Sequence, residues 1–176
     1  MTLSPTLPTK DGTLVASVVW QPQGRPELAV KHHWFVNGIE VVDHSGSELA
    51  LADFQTGDRV HVVAEVRASD DRVLASERSL SVVIQNRPPT IVSGLDALTQ
   101  TDKELTGRIV ATDPDGEPVT VTLREGPPGL VIQPDGTVHW PLASVKPGQH
   151  QLAVEVEDSR GLGYQGTMTF TVGAGA

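Results

Sequence analysis

The chain has 176 residues, no cysteine and a formal net charge of −9 at pH 7. Without cysteine it holds no disulfide, no thiolate metal site and no cysteine nucleophile. Residues 1–86 carry 7 basic and 11 acidic side chains, and residues 87–176 carry 6 and 11. Because both halves are acidic, nucleic acid and anionic membrane surfaces are disfavoured as partners. No apolar run approaches the roughly 20 residues of a membrane-spanning helix, which excludes membrane insertion, and no signal segment precedes Leu14.

Composition favours strands over helices. Aromatic residues make up only 4% of the chain, so the core must be aliphatic. The 17 glycines and 13 prolines are enough to separate many short strands. No segment shows a 3.6-residue apolar period over 11 or more residues, whereas apolar runs recur every 8–15 residues with turn residues between them. This spacing predicts an all-β protein of the sandwich type.

In the first half, residues 1–12 are an edge strand or a lead-in, and strands then follow at regular spacing. We predict them, in chain order, over residues 13–20, 28–36, 39–42, 47–51 and 59–67, with a last strand that runs to residue 84. Asn37-Gly38 predicts a type I′ hairpin, because that turn needs positive φ at both central residues. His32 and His33 are adjacent in a strand, so they point to opposite faces and cannot chelate one ion together.

The second half repeats this organisation. Strands are predicted over residues 104–111, 119–125, 130–132, 137–140, 151–157 and 164–172, with turns at 113–116, 133–136 and 158–161. Residues 141–148 form a loop or a short helical turn. In the strand over 151–157, alternation of apolar and polar residues places Leu152, Val154 and Val156 towards the core.

A proline-rich stretch, Gln85–Ile91, separates the two halves. Pro88 and Pro89 lack N–H donors and have fixed φ, so neither sits inside a paired ladder. The stretch therefore predicts a short, stiff link between two domains, residues 1–86 and residues 87–176. The alternative is a proline-rich loop inside one domain.

An internal repeat favours the two-domain interpretation. Residues 21–26 align with residues 113–118 at an offset of 92, with Pro, Gly and Pro in register. Residues 64–66 align with residues 154–156 at an offset of 90. A nearly constant offset indicates two copies of one structural unit.

Four stretches of the second half carry a resemblance to a known family. They are Asn86–Pro89, Ala111–Pro118, Asp135–Pro141 and Val154–Gly161, and they resemble bacterial immunoglobulin-like (Ig-like) or cadherin-like repeats of the putative-Ig and dystroglycan-type cadherin kind. In the first half, His33–Gly38 resembles the tryptophan–hairpin element of Ig-like modules from exported bacterial proteins. The resemblance implies two tandem Greek-key β-sandwich domains and a place in extracellular, cell-surface or periplasmic architecture.

Three carboxylates form the candidate metal site. Asp113, Asp115 and Asp158 lie in turns that an Ig-like sandwich brings to one end, and Ca²⁺ takes six to eight oxygen ligands in a tolerant geometry. The resemblance to cadherins implies calcium at the same kind of junction, although Arg87 stands where the cadherin linker carries acidic residues. The alternative is that Asp113 caps its own backbone in an ordinary turn. Calcium is the only cofactor that the sequence suggests.

No catalytic residue is predicted. The chain has no Gly-x-Ser-x-Gly elbow and no His-Glu-x-x-His spacing. Trp34 and Trp140 fit core positions in strands, whereas Trp20 and Phe35 would form a binding patch if they shared an exposed face.

The leading functional expectation is a non-catalytic spacer, adhesion or assembly module of an exported bacterial protein. Its partners would be another protein or neighbouring repeats. The competing expectation is an accessory carbohydrate-binding domain of a polysaccharide-active enzyme, and a catalytic domain is the third.

Overall fold

The computed structural model describes residues 1–19, 28–95 and 98–173. They divide into two compact units, Met1–Asn86 and Arg87–Ala176. Apart from one 3-10 turn at Leu142–Ser144, all of the regular secondary structure described is strand, which confirms the predicted all-β fold. None of the described residues form a helix long and apolar enough to cross a membrane.

The first unit contains eight strands in two sheets. In chain order they are β1 (Thr2–Ser4), β2 (Thr13–Ser17), β3 (Ala29–Val36), β4 (Ile39–Glu40), β5 (Glu48–Ala50), β6 (Arg59–Arg67), β7 (Val73–Arg78) and β8 (Val82–Val83). One sheet has the order β1-β2-β5. The other has the order β4-β3-β6-β7, with β8 also paired to β6, and all of the pairs are antiparallel.

Strict alternation along β6 positions the core of this unit. Val60, Val62, Ala64 and Val66 are buried, and the residues between them face outwards. Trp34 on β3 is fully buried beside them, and its indole N–H donates to the Gly46 carbonyl oxygen at 2.9 Å. The buried ring therefore keeps a hydrogen-bond partner while it contributes a large apolar surface.

Two features of this unit follow from local backbone chemistry. Asn37 and Gly38 have φ of 52° and 83°, which confirms the predicted type I′ turn between β3 and β4. The predicted last strand is not continuous, because Ser79 interrupts it between β7 and β8. The Ser79 hydroxyl accepts from the N–H of Val62 at 3.0 Å, so a side chain replaces part of the ladder.

The second unit contains nine strands. They are β9 (Thr90–Ser93), β10 (Thr99–Gln100), β11 (Glu104–Arg108), β12 (Val110–Thr112), β13 (Val119–Glu125), β14 (Val131–Ile132), β15 (Thr137–Pro141), β16 (Gly148–Asp158) and β17 (Gly163–Val172). They form sheets of order β10-β11-β15-β14, β12-β9 and β13-β16-β17. The short strands β9 and β10 carry little apolar alternation, and the sequence did not predict them as separate elements.

The core of the second unit lies between these sheets. Leu152, Val154 and Val156 on β16 are buried, as their alternation predicts. Trp140 is 1% exposed, and its N–H donates to the Pro128 carbonyl oxygen at 3.0 Å. Trp34 and Trp140 are therefore core residues, as predicted.

The predicted strand over residues 104–111 is broken into β11 and β12 at Ile109. The Ile109 side chain is buried, and its N–H donates to the Gly136 carbonyl oxygen at 2.9 Å. Gly136 approaches so closely that a Cβ atom there would lie 2.1 Å from the Ile109 carbonyl oxygen. Only glycine fits at this point, where φ is also +87°.

We predict that Gly136→Ala lowers the free energy of unfolding of the second unit by at least about 3 kcal/mol, because it adds a backbone clash to the cost of positive φ. Gly116→Ala is the matched control. Gly116 has φ of +82° but nothing within 4 Å of its Cβ position, so this substitution should lower the free energy of unfolding by only about 1–2 kcal/mol. Urea unfolding followed by circular dichroism measures both, and equal losses would contradict the close approach.

Candidate functional site

The turn at Asp113–Gly116 forms the first part of the candidate site. The Gly116 N–H donates to the Asp113 carbonyl oxygen at 3.1 Å. The Asp113 Oδ1 accepts from the N–H groups of Asp115 at 2.7 Å and of Glu117 at 3.3 Å. Asp113 thus caps the backbone of its own turn, which is the alternative to calcium binding that the sequence suggests.

Asp115 is held by Arg87, the first residue of the second unit. Its side chain is 1% exposed. The Arg87 backbone N–H donates to Asp115 Oδ2 at 2.8 Å, and the guanidinium donates to Oδ1 through Nε at 3.0 Å and Nη2 at 2.8 Å. Nη2 also donates to the Pro114 carbonyl oxygen at 2.9 Å. These charge-assisted bonds compensate the carboxylate for its loss of water.

Asp158 ends β16 and caps the turn that leads to β17. It is 5% exposed, and its Oδ1 accepts from the N–H groups of Arg160 at 2.8 Å and Leu162 at 2.9 Å. Asp158 pairs with Val119, the first residue of β13. It therefore lies at the same end of the unit as the Asp113 turn, which immediately precedes β13.

Glu117 joins the two turns. Its Oε2 accepts from the Ser159 hydroxyl at 2.8 Å, and its Oε1 accepts from Arg160 Nε. The turns that carry Asp113, Asp115 and Asp158 are therefore linked by side chains.

Each of the three aspartates already binds donors of the protein itself. Among residues 1–19, 28–95 and 98–173, no group of three or more His, Asp or Glu side chains is arranged to hold a metal ion. One oxygen at this end does remain buried without a hydrogen-bond donor, Asp113 Oδ2. Calcium at Asp113, Asp115 and Asp158 stays a prediction, and it requires Asp115 to exchange its Arg87 bonds for the ion.

The outer face of the β3–β6 pair carries a second polar cluster, in the first unit. His33 lies between two carboxylates. Its Nδ1 is 2.7 Å from Glu40 Oε1, and its Nε2 is 3.5 Å from Glu65 Oε2. Arg67 donates two hydrogen bonds to Glu65, and these hold the pKa of the Glu65 carboxyl below its usual range. Arg67 thereby favours the ionised carboxylate on this face.

Phe35 and His61 lie on this same outer face and stack on each other. Their ring centroids are 4.9 Å apart and their planes differ by 6°. Both side chains are half-buried, and burial lowers the pKa of His61. Trp20, the other half of the predicted binding patch, lies outside the described residues, and so does the 21–26 copy of the internal repeat.

A cavity of about 650 Å³ lies near the opposite end of the second unit from Asp158. Glu125, Lys146 and His150 contribute to its lining together with Trp140. Trp140 is nevertheless 1% exposed, and it packs edge to face against the His150 ring with the ring centroids 4.8 Å apart. Its indole face is therefore covered, and the cavity offers no open aromatic platform.

We predict that Arg87→Ala lowers the free energy of unfolding of the second unit by about 3 kcal/mol, because it leaves a buried carboxylate without its cation. Arg124→Ala is the control. The Arg124 side chain is 54% exposed in its ion pair with Glu155, so its loss should cost less than about 1 kcal/mol. Urea unfolding measures both variants, and an Arg87→Ala loss no larger than that of the control would refute the structural role of the pair.

The calcium prediction has its own test. For a dissociation constant of about 1 mM, about 5 mM Ca²⁺ should stabilise the folded protein by about 1 kcal/mol over EDTA and raise the melting temperature. Asp113→Asn should abolish the increase, and Mg²⁺ at the same concentration controls for ionic strength. An unchanged melting temperature in Ca²⁺ rejects the site.

Comparison with known proteins gives one family match. Residues 86–171 match the sequence model of a bacterial Ig domain family. The match confirms the predicted resemblance to Ig-like repeats in the second half of the chain. No curated protein matches the sequence significantly.

Comparison with solved structures gives further matches at low sequence identity. The human desmocollin-1 ectodomain is 13% identical with a TM-score of 0.40, over 97% of this chain and 37% of that one. Fibronectin(III)-like modules of Clostridium thermocellum CbhA are 15% identical with a TM-score of 0.31, over 97% and 93%. The Bacteroides ovatus protein SGBP-B, solved with a mixed-linkage heptasaccharide, is 15% identical with a TM-score of 0.30, over 93% and 41%. This chain thus spans less than half the length of the desmocollin ectodomain. The similarity of this chain to the bacterial Ig domain family is therefore shown for residues 86–171.

Proposed function

We propose that the chain is a non-catalytic spacer, adhesion or assembly module of an exported bacterial protein. The observation that carries this proposal is the bacterial Ig domain at residues 86–171. We place the module outside the cytoplasm, in the periplasm, on the cell surface or beyond it. Its partners are another protein or neighbouring repeats.

The use of the buried charges supports a mechanical role. Asp115 and Asp158 are among the most buried ionisable residues described, and both are bound to donors within their own unit. Such groups fix the conformation of turns and are not available to abstract or donate a proton during a reaction. Arg87, Glu117 and Arg160 extend this network over the end of the unit. The result is a closed, rigid end to the sandwich.

Rigid presentation is the proposed mechanism. A sandwich whose turns are capped by side chains holds its loops and sheet edges in fixed positions, so a partner binds without first ordering them. The division at Asn86 and Arg87 supports two such domains, residues 1–86 and 87–176. Because Ig-like folds carry many functions, the fold does not identify the partner that these surfaces bind.

An accessory carbohydrate-binding domain is the second candidate. The observation that favours it is the Phe35–His61 stack on the outer face of β3 and β6. Planar rings at a protein surface can contact the apolar face of a sugar. Both rings are half-buried, so only part of their surface is available.

One experiment with two arms tests the proposal. In the source bacterium, protease added to intact or osmotically opened cells should digest the module, as detected with an antibody raised against residues 1–176. On native gels, soluble polysaccharides should change the mobility of the purified protein no more than they change the mobility of an unrelated acidic control protein.

Each arm has a contradicting outcome. An epitope that resists protease until the cytoplasmic membrane is lysed would refute the export proposal. Retardation on a polysaccharide gel that Phe35→Ala removes would favour the carbohydrate-binding candidate instead.

A further inference from the structure

The last strand of the second unit, β17, is an open edge. It ends the sheet of order β13-β16-β17, and within the described part of the chain its one ladder is with β16. That ladder runs through ten successive residue pairs, from Gly148–Val172 to Glu157–Gly163, without a bulge. At ten residues, β17 is the longest strand described at a sheet edge.

The hydrogen-bonding pattern identifies the peptide groups that face outwards. The Asp158 N–H donates to the Leu162 carbonyl oxygen at 3.0 Å, so residues 158 and 162 form a hydrogen-bonded pair in the register of the hairpin. Such pairs alternate along an antiparallel ladder. The even-numbered residues of β17 therefore bond to β16, and the odd-numbered residues direct their N–H and C=O groups away from the sheet. These outward residues include Gln165, Thr167, Thr169 and Thr171, and all four have exposed side chains.

The β17 edge lacks the features that normally prevent a strand of another chain from pairing with an exposed edge. Residues 163–172 contain no Lys, Arg, Asp, Glu or Pro. Charged residues, proline and bulges are the usual protection of exposed edges. At other edges, β13 has a register shift next to Arg124, and β7 carries Glu77 and Arg78 and also a register shift.

The corresponding edge of the first unit is covered. Thr9 forms a parallel bridge with Gln85, just after β8, and the Gln85 N–H donates to the Pro8 carbonyl oxygen at 2.7 Å. A lead-in segment thus occupies the edge beside the last strand there. In the second unit the first strand, β9, pairs with β12 instead. Within the described residues, the end of the last strand is therefore paired with a lead-in segment in the first unit but not in the second.

We propose that β17 pairs antiparallel with β17 of a second copy of this chain, across a two-fold axis. Any hydrogen-bonded register of two such edges aligns odd-numbered residues, so the pairs near the two-fold axis join threonine to threonine or glutamine on the outer face. Thr–Thr pairs across strands are favourable. The two copies would join their sheets into one of six strands, β13-β16-β17 and its symmetry mate.

Charge favours contact between two copies at the β17 edge over contact at other parts of their surfaces. Each chain carries a net charge of −9, so two copies repel each other over most of their surfaces. The neutral edge of β17 is a place where their backbones can meet without bringing carboxylates together. On the same sheet, Glu155 and Glu157 lie one strand further in, on β16. Added salt should screen the remaining repulsion and strengthen the dimer, the opposite of an association held by ion pairs.

Sedimentation equilibrium of the whole chain tests the pairing. The wild-type protein should show a monomer–dimer equilibrium whose dissociation constant falls as NaCl rises. Thr169→Lys should weaken it about tenfold or more, equivalent to about 1.4 kcal/mol, because the two-fold axis places two added charges near the junction. Thr122→Lys is the matched control. Thr122 is an exposed threonine on β13, at the other edge of the same sheet, and its variant should dimerise like the wild type.

Single cysteines then locate the contact, since the chain has none of its own. Under mild oxidation, a cysteine at 165, 167, 169 or 171 should form a disulfide-linked dimer, strongest nearest the axis, whereas Thr122→Cys should not. Circular dichroism should show that every variant remains folded. A wild-type monomer at all salt concentrations, or equal cross-linking of Thr122→Cys, overturns the proposal, while the spacer function would be unaffected by either result.

Discussion

The Arg87–Asp115 pair is the interaction on which the second unit depends at its amino-terminal end. Asp115 is nearly inaccessible to water, so its charge must be balanced by protein donors. Arg87 supplies both a backbone N–H and a guanidinium, and also binds the carbonyl oxygen of Pro114. The first residue of the unit thereby fastens the chain to a turn 28 residues away. Strand β9 begins three residues later, at Thr90.

The same end of the unit shows how its acidic turns are bound by groups of the protein. In this chain a guanidinium takes the position of positive charge beside Asp115, and backbone N–H groups bind Asp113 and Asp158. These donors belong to the protein, so they are present at every calcium concentration. Glu117 then finds its own cation in Arg160. The end of the unit is a network in which each acid has a donor.

Local sequence signals predicted much of the fold. The Asn37-Gly38 turn, the strand over residues 59–67, the alternation on β16 and the buried positions of Trp34 and Trp140 all depend on neighbours in sequence or on strong apolar character. The break at Ile109 could not be predicted, because it depends on the approach of Gly136 from another strand. The same holds for the candidate site. The sequence placed Asp113, Asp115 and Asp158 in turns, but the bond from Arg87 to Asp115 spans 28 residues and no local pattern encodes it.

The position of Arg87 has a consequence for where this domain can be cut or grafted. The family match begins one residue earlier, at residue 86, and the two prolines that follow resemble an ordinary linker that could be trimmed. A fragment that started at Pro88 would keep every strand of the unit and yet lose the cation of a buried carboxylate. Arg87 is therefore a structural part of the domain, although its position next to two prolines resembles a linker. A fusion partner joined after Arg87 would leave the domain without the cation that binds Asp115.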